Sequence, residues 1–257
     1  MKIFVINLAA RDDRRDSVAR QLDGKGIDYE FFRAVEGPGA LEQYFRGRND
    51  WACHMEIERK GLPSEVACHA SHLCLWKLCV ESGEPIVILE DDFAAAPLFK
   101  EAVQFAGEHI GRFGFIRLEP MEDKWQLNEG MKPVPVLQSD PFTLYFQASV
   151  ALRTTGYAIN PAVAQRFIDV SRKFTVPVDH LFRRQWIHRL PLFAIDPPAI
   201  DLAELAEDPS IVGRRKSPLR HFLRQAKMGY RAWARYATRR ANSAIRVEFA
   251  HLFEQVE

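Results

Sequence analysis

Apolar positions in this chain fall into short runs of two kinds. Residues 2–8 (KIFVINL) read as a β-rich run, and residues 11–22 place Val18, Ala19 and Leu22 at helical spacing. Gly24 and Gly26 break that pattern before IDYEFFRAV, which alternates as a second strand, so the chain opens β-α-β. Residues 36–63 carry scattered glycine and polar residues and predict a long, partly irregular connection. Ser64 predicts the N-cap of a helix through Val80, with Val66, Leu73, Trp76 and Leu78 among its apolar positions and Ser82 and Gly83 as its stop. The strand IVILE, residues 86–90, follows. Residues 100–110 predict a helix, GFIRLE a strand and residues 124–140 a proline-containing loop. FTLYFQASVAL and GYAIN predict strands around a turn at 153–155, and PAVAQRFIDVSRKF a helix with proline in its first turn. VPVDHLFRRQWIHR reads as one short helix and LPLFAIDPPAI as a last strand broken by two prolines. Alternating strands and helices predict an α/β fold: an open, mostly parallel sheet with helices on both faces.

From about residue 218 the pattern changes. Leu219, Phe222, Leu223, Ala226, Tyr230, Trp233, Ala237 and Ala241 fall near one helical face, and Arg220, Arg224, Lys227, Arg231 and Arg235 step along another. One or two amphipathic basic helices are expected, which divides the chain into an α/β unit, 1–213, and a helical tail, 214–257. The net charge of +1 hides this tail: between Asp208 and Glu248 there is no acid, against eleven lysines and arginines. Across the 257 residues, 47% apolar content is ordinary for a folded chain with a sizeable core. The opening MKIFVINL is too short for a secretory signal and runs at once into RDDRRD, which predicts a cytoplasmic protein. No apolar run is long enough to span a membrane. Cys53, Cys68, Cys74 and Cys79 are expected to be reduced thiols.

The chemistry centres on Glu90, Asp91 and Asp92, three acids at the carboxyl end of an apolar strand, where open α/β sheets bind ligands. Strand alternation predicts that Glu90 and Asp92 share a face and Asp91 points away. Such a pair suits a hard divalent cation, Mg²⁺ or Mn²⁺, with Asp92 the leading ligand and Glu90 the second; the alternative is a solvated strand end. In NLAARDDRR, Asn7 ends the first strand and Arg11, Arg14 and Arg15 open the next helix, either to meet a phosphate or as a solvated face balanced by Asp12, Asp13 and Asp16. In CHASHLC only Cys68 and His72 are adjacent on a helix, so a structural zinc site is not expected. Cys68 reads as a small core residue, and His72 as either packed or facing the site. Asp179 in VPVDH is either a helix N-cap or a general base.

Taken together, VINLAARDDRR, FFRAVEG, SEVACHASHLCLW, IVILEDDF, TTGYAINPAVAQRFI and VPVD resemble, in this order over about residues 3–200, the lipooligosaccharide galactosyltransferases, family twenty-five among glycosyltransferases. The resemblance implies a GT-A-like fold and inverting, metal-dependent transfer of galactose or a related hexose from a UDP-sugar to a saccharide acceptor on a lipid-linked core. It implies donor-binding positions at Asn7, Leu8, Arg11, Arg14, Val35, Glu36, Ser71, His72 and Asp91, and matches Cys68 to the helix motif. It also implies Asp92 and Glu90 at the metal, and Asp179 either as the base or in a role at or behind the metal. Ser64 and Ala67 stand where the family has glycines, and Glu36 where it has aspartate.

The tail admits two readings: packing on the catalytic unit or on a second copy of the chain as a homodimer, or lying through residues 218–257 on the inner face of the cytoplasmic membrane. Two other functions compete. A membrane- or nucleic-acid-binding module would use the arginines and leave the acids inert, and a metal-dependent nucleotidyltransferase or nuclease would use the acids alone. Nucleic acid is not the expected partner, because it leaves the acids unexplained.

Overall fold

The computed structural model describes residues 1–121, 131–202 and 224–253. In chain order the elements are β1 (Lys2–Asn7), α1 (Asp12–Asp23), β2 (Glu30–Arg33), α2 (Ala40–Tyr44), α3 (Asp50–Ile57), α4 (Pro63–Ser82), β3 (Ile86–Glu90), β4 (Phe93–Ala95), α5 (Phe99–Phe113) and β5 (Phe115–Arg117). They continue with β6 (Val134–Ser139), β7 (Phe142–Phe146), β8 (Gly156–Ile159), α6 (Pro161–Val170), α7 (Val178–Arg183), α8 (Gln185–His188), β9 (Phe193–Asp196), β10 (Ile200–Leu202) and α9 (Arg224–Glu248).

Eight strands form one sheet in the order β2-β1-β3-β8-β5-β9-β7-β6. β2, β1, β3, β5, β9 and β6 share a direction, and β8 and β7 run against it. The apolar runs of β1 and β3 follow from burial on both faces. Ile3, Val5, Val87 and Leu89 pack with α1, α5 and Ile245 of α9 in one core, while Phe4, Ile6, Ile86 and Ile88 pack with α4, α6 and α7 in the other. Helices therefore cover both faces, as the alternation predicts. Gly83, at φ 70°, ends α4 in the left-handed conformation that glycine adopts without strain. At Gly156 a Cβ would crowd the side-chain ends Ile200 Cδ1 and Leu89 Cδ2, which would have to shift to admit it.

Several expectations are corrected. The partly irregular connection at 36–63 also holds two short helices, α2 and α3; Asn49 caps α3 by accepting from the Ala52 amide at 3.1 Å, and Glu58 ends it at φ 64°. Part of the expected loop at 124–140 is β6, at the edge of the sheet, where Pro135 removes no essential ladder bond and sits beside a register shift; residues 122–130 lie outside the described residues. α4 begins one residue before Ser64, with Pro63 in its first turn and the Glu65 carboxylate accepting from the Leu62 amide at 2.8 Å. The segment 176–189 divides at Arg184 into α7 and α8. β10 leaves the main sheet to pair with β4.

The tail packs on the sheet domain over its described part; the expected boundary at 213/214, and Leu219, Arg220, Phe222 and Leu223, lie outside the described residues. Its buried stripe is rotated from the apolar one. Lys227, Thr238, Ala241, Asn242 and Ile245 are buried, whereas Trp233 is half exposed. Polar partners explain the difference: Asn242 donates to the Ala148 carbonyl at 2.7 Å, Lys227 approaches Glu58 at 3.9 Å, and the Tyr230 hydroxyl donates to Glu56 at 2.6 Å. Glu56 also receives Arg184 at 3.2 Å and His180 at 3.3 Å. Burial raises its carboxyl, but the bonds from His180 and Tyr230 and the Arg184 charge outweigh that and bring it down to about 2. Glu56 thus contributes stability that is present above the ordinary carboxylate range and lost as pH falls through about 2.

Candidate active site

The acids lie at the carboxyl end of the parallel strands, where β1 and β3 end and the antiparallel β8 begins. Glu90 is the last residue of β3, and Asp91 and Asp92 form a turn, so strand alternation stops at Glu90. The partners of the three acids separate them. Both oxygens of Asp91 are held: Oδ2 accepts from Asn7 Nδ2 at 2.8 Å and Oδ1 from Arg14 Nη1 at 2.8 Å, in a pair that is almost wholly buried. Glu90 Oε1 accepts from His72 Nε2 at 3.3 Å and from the Thr154 hydroxyl. Asp92 Oδ1 is buried with no hydrogen-bond partner among the described residues.

Their protonation follows. Burial raises the Glu90 carboxyl, but the His72 and Thr154 hydrogen bonds prevail and hold it below its ordinary value. Burial, then the charge of Glu90, pushes Asp92 up to about 6. Two neighbouring carboxylates, one with an orphaned buried oxygen, fit a hard divalent cation, whose charge would remove the repulsion that raises Asp92. Cys68, His72 and Glu90 also bring one ligand atom each within 4.8 Å. That set fits less well: both ring nitrogens of His72 are engaged, and burial together with Glu90, Asp179 and Asp92 pushes the Cys68 thiol well up.

Beneath Glu90 lies a buried relay. Trp76 Nε1–H can only donate, so the Tyr157 hydroxyl accepts it at 2.9 Å and donates to His72 Nδ1 at 2.8 Å, leaving Nε2–H for Glu90. His72 is thus both packed and turned to the site. Tyr157→Phe strands the Trp76 donor and the His72 acceptor in the core, with an expected cost of about 2 kcal/mol in denaturant unfolding; an unchanged midpoint would refute the relay.

A cleft of about 440 Å³ opens beside these acids. It is lined by Leu8, Arg14, Val35, Glu36, Ser71, Glu90 and Asp91 from the sequence-derived set, together with Cys68, Ser64 and Ala67. Ser71 is fully buried and acts as a strut: its hydroxyl accepts from the Val35 amide at 2.9 Å and donates to the Ala67 carbonyl at 3.0 Å. Glu36 accepts from the Ala9 amide at 3.3 Å. Asn7 supports the cleft through Asp91. Arg11 lies outside the lining and holds Asp13 with two bonds of 2.9 Å, and Arg15 stacks on Phe31 at 4.2 Å. Asp92 and Asp179 are also outside it. Asp179 is not an N-cap: Pro177 occupies that position, and Asp179, in the first turn of α7, accepts from the His180 amide at 2.8 Å.

Sequence reasoning missed the residues that carry Thr154 to Glu90. Arg117 and Glu119 are fully buried; Arg117 bonds Glu119 and donates to the carbonyls of Ala151 at 2.9 Å and Arg153 at 2.8 Å, while Glu119 accepts from the Thr155 amide at 3.2 Å. The signal was opposite charges two residues apart in an apolar strand, which places them on one face.

Comparison with known proteins gives the chain its class. Residues 1–182 match the family model described as glycosyltransferase family 25 (LPS biosynthesis protein), and the chain belongs to this family. A glycosyltransferase 25 family member of Aedes aegypti is 28% identical over 200 residues, covering 69% of this chain and 29% of that protein. The lacto-N-neotetraose biosynthesis glycosyltransferase LgtE of Neisseria meningitidis serogroup B is 26% identical over 216 residues, covering 77% and 72%. Procollagen galactosyltransferase 2 of Mus musculus is 26% identical over 177 residues, covering 65% and 27%. The chain thus spans less than a third of the insect and mouse relatives.

Proposed function

We propose that the protein transfers a hexose, galactose in the first instance, from a UDP-sugar to a saccharide acceptor of lipooligosaccharide type, with inversion. The observation that carries this reading is the convergence on one cleft of Leu8, Arg14, Val35, Glu36, Ser71 and Asp91 beside the Glu90–Asp92 carboxylate pair. The nucleoside lies along Leu8 and Val35, and Arg14, fixed by Asp91, faces the diphosphate. Asp92 and Glu90 would hold a divalent cation, Mn²⁺ or Mg²⁺, which supplies charge neutralisation at the diphosphate.

Asp179 acts as the base. Its charge bears on the Cys68 thiol at the donor cleft, and its neighbour His180 faces a second cleft beyond α7. The acceptor hydroxyl oxygen bonds to the anomeric carbon from the side opposite UDP, its proton passes to Asp179, and the bond from that carbon to the β-phosphate oxygen breaks with its electron pair leaving on UDP. Ser64, Ala67 and Glu36, where the chain departs from the family pattern, all line the cleft, so they bear on the choice of hexose. Incubation with UDP-hexoses, Mn²⁺ and a lipid-free oligosaccharide should release UDP and lose that activity in EDTA. No turnover with any acceptor, and no UDP binding, would sink the proposal.

No helix among the described residues is long and apolar enough to cross a membrane. Met228, Trp233, Tyr236 and Val247 are exposed on α9, which supports a peripheral contact with a cytoplasmic membrane surface. Deleting the tail would uncover the core at Ile245, so the fitting test is Trp233→Ser with Tyr236→Ser in vesicle flotation; unchanged flotation ends that reading.

A further inference from the structure

A second cleft, of about 620 Å³, lies between α7, α8 and α9. Arg183, Arg231, Arg235, Arg239 and His180 line it, and the single acid on its wall, Glu56, is already held by Arg184, His180 and Tyr230. Arg231 reaches Glu58 at 3.1 Å. Among the described residues no acid pairs with Arg235 or Arg239, and both side chains are exposed. The cleft is therefore a concave surface with surplus positive charge. It also carries the rings of Trp186 and Tyr230, which Trp233 braces at 5.8 and 5.7 Å. Aromatic rings offer a face to the C–H side of a sugar, and arginine forks match oxyanions. A recess of this shape suits a soluble chain of a few sugars better than a bilayer plane.

Its position adds a link to the chemistry. His180 stands on its wall, and the next residue back is Asp179, the carboxylate assigned as base. We propose that this cleft is the acceptor subsite and that it selects saccharides bearing an oxyanion, a phosphate or a carboxylate, through Arg235 and Arg239. The inference rests on the transferase reading and names its acceptor class.

The test is calorimetry on the full chain with UDP and Mn²⁺ present. The probes are a soluble oligosaccharide carrying one phosphomonoester, the same oligosaccharide after phosphatase treatment, and its counterpart with a uronic acid. At least one charged probe should bind about tenfold or more tighter than the neutral one, and the arm that does so identifies the oxyanion. Arg235→Gln with Arg239→Gln should erase that preference while the neutral probe binds as before; because both side chains are exposed, the fold is retained. Equal affinity for charged and neutral probes, or a preference that survives the double substitution, overturns the subsite. So does arginine-dependent binding to phosphatidylglycerol vesicles without discrimination among the oligosaccharides. UDP affinity is read separately: its absence would refute the transferase reading, whereas its presence with no charge preference refutes this inference alone.

Discussion

Replacing Asp92 with Asn is expected to lower cation-dependent transfer on the order of a thousandfold and, at the same time, to raise stability. The two effects share one cause. In the cation-free protein Asp92 is a buried carboxyl pushed up to about 6 by desolvation and by Glu90, with Oδ1 unpartnered. A folded carboxyl raised in this way contributes stability that is fully present below its unfolded value, near 3.8, and is lost as pH rises through about 6. Asparagine carries no charge to repel Glu90, so it keeps what the wild type loses. The variant's advantage should open between about pH 4 and pH 6 and reach about 1 to 2 kcal/mol near neutrality, or roughly 2 to 4 °C in Tm per kcal/mol. Thermal melts across that range, in EDTA, check it. Retained activity would refute the ligand assignment, and a variant less stable than wild type at neutral pH would refute the repulsion.

Arg117→Leu is expected to act in the opposite direction, at a cost of about 3 to 5 kcal/mol, because it leaves Glu119 as an unpaired buried charge and strips the donors from two carbonyls. The affected carbonyls belong to residues 151 and 153, next to Thr154, so the Thr154 hydroxyl should lose its place at Glu90 and activity should fall with stability. The double variant Arg117→Leu with Glu119→Leu removes both charges and should recover part of the lost stability. Denaturant unfolding reads both variants. A single substitution costing less than about 1 kcal/mol, or a double one costing the sum of the singles, would contradict the pairing.

What could be read from the sequence divides along physical lines. β3 was legible to the residue because burial on both faces demands an unbroken apolar run, and its acidic end pointed to the candidate site. β6 was hidden by Pro135, which an edge strand tolerates. α2 and α3 were hidden because they are short and their ends depend on single residues, Asn49 and Glu58, rather than on a long apolar period. The start of α4 was displaced because Glu65 and Pro63 define it, leaving Ser64 to line the cleft. On α9 the apolar stripe misjudged the buried face, since Lys227, Thr238 and Asn242 are buried there and Lys227 and Asn242 have partners distant in the chain. The site's supports were the least legible. Arg14 with Asp91, His72 with Tyr157, and Arg117 with the 151–155 turn are contacts between distant segments that no local spacing encodes.

The central claim is that the cleft beside Glu90 and Asp92 is a cation-dependent nucleotide-sugar site. The most direct measurement is calorimetric titration of UDP into the wild-type protein and Asp92→Asn, each with Mn²⁺ and with EDTA. UDP should bind wild type tightly with Mn²⁺ and at least tenfold more weakly in EDTA, and Asp92→Asn should bind weakly in both. UDP affinity that ignores both the cation and Asp92, or no UDP binding under any of these conditions, would contradict the claim.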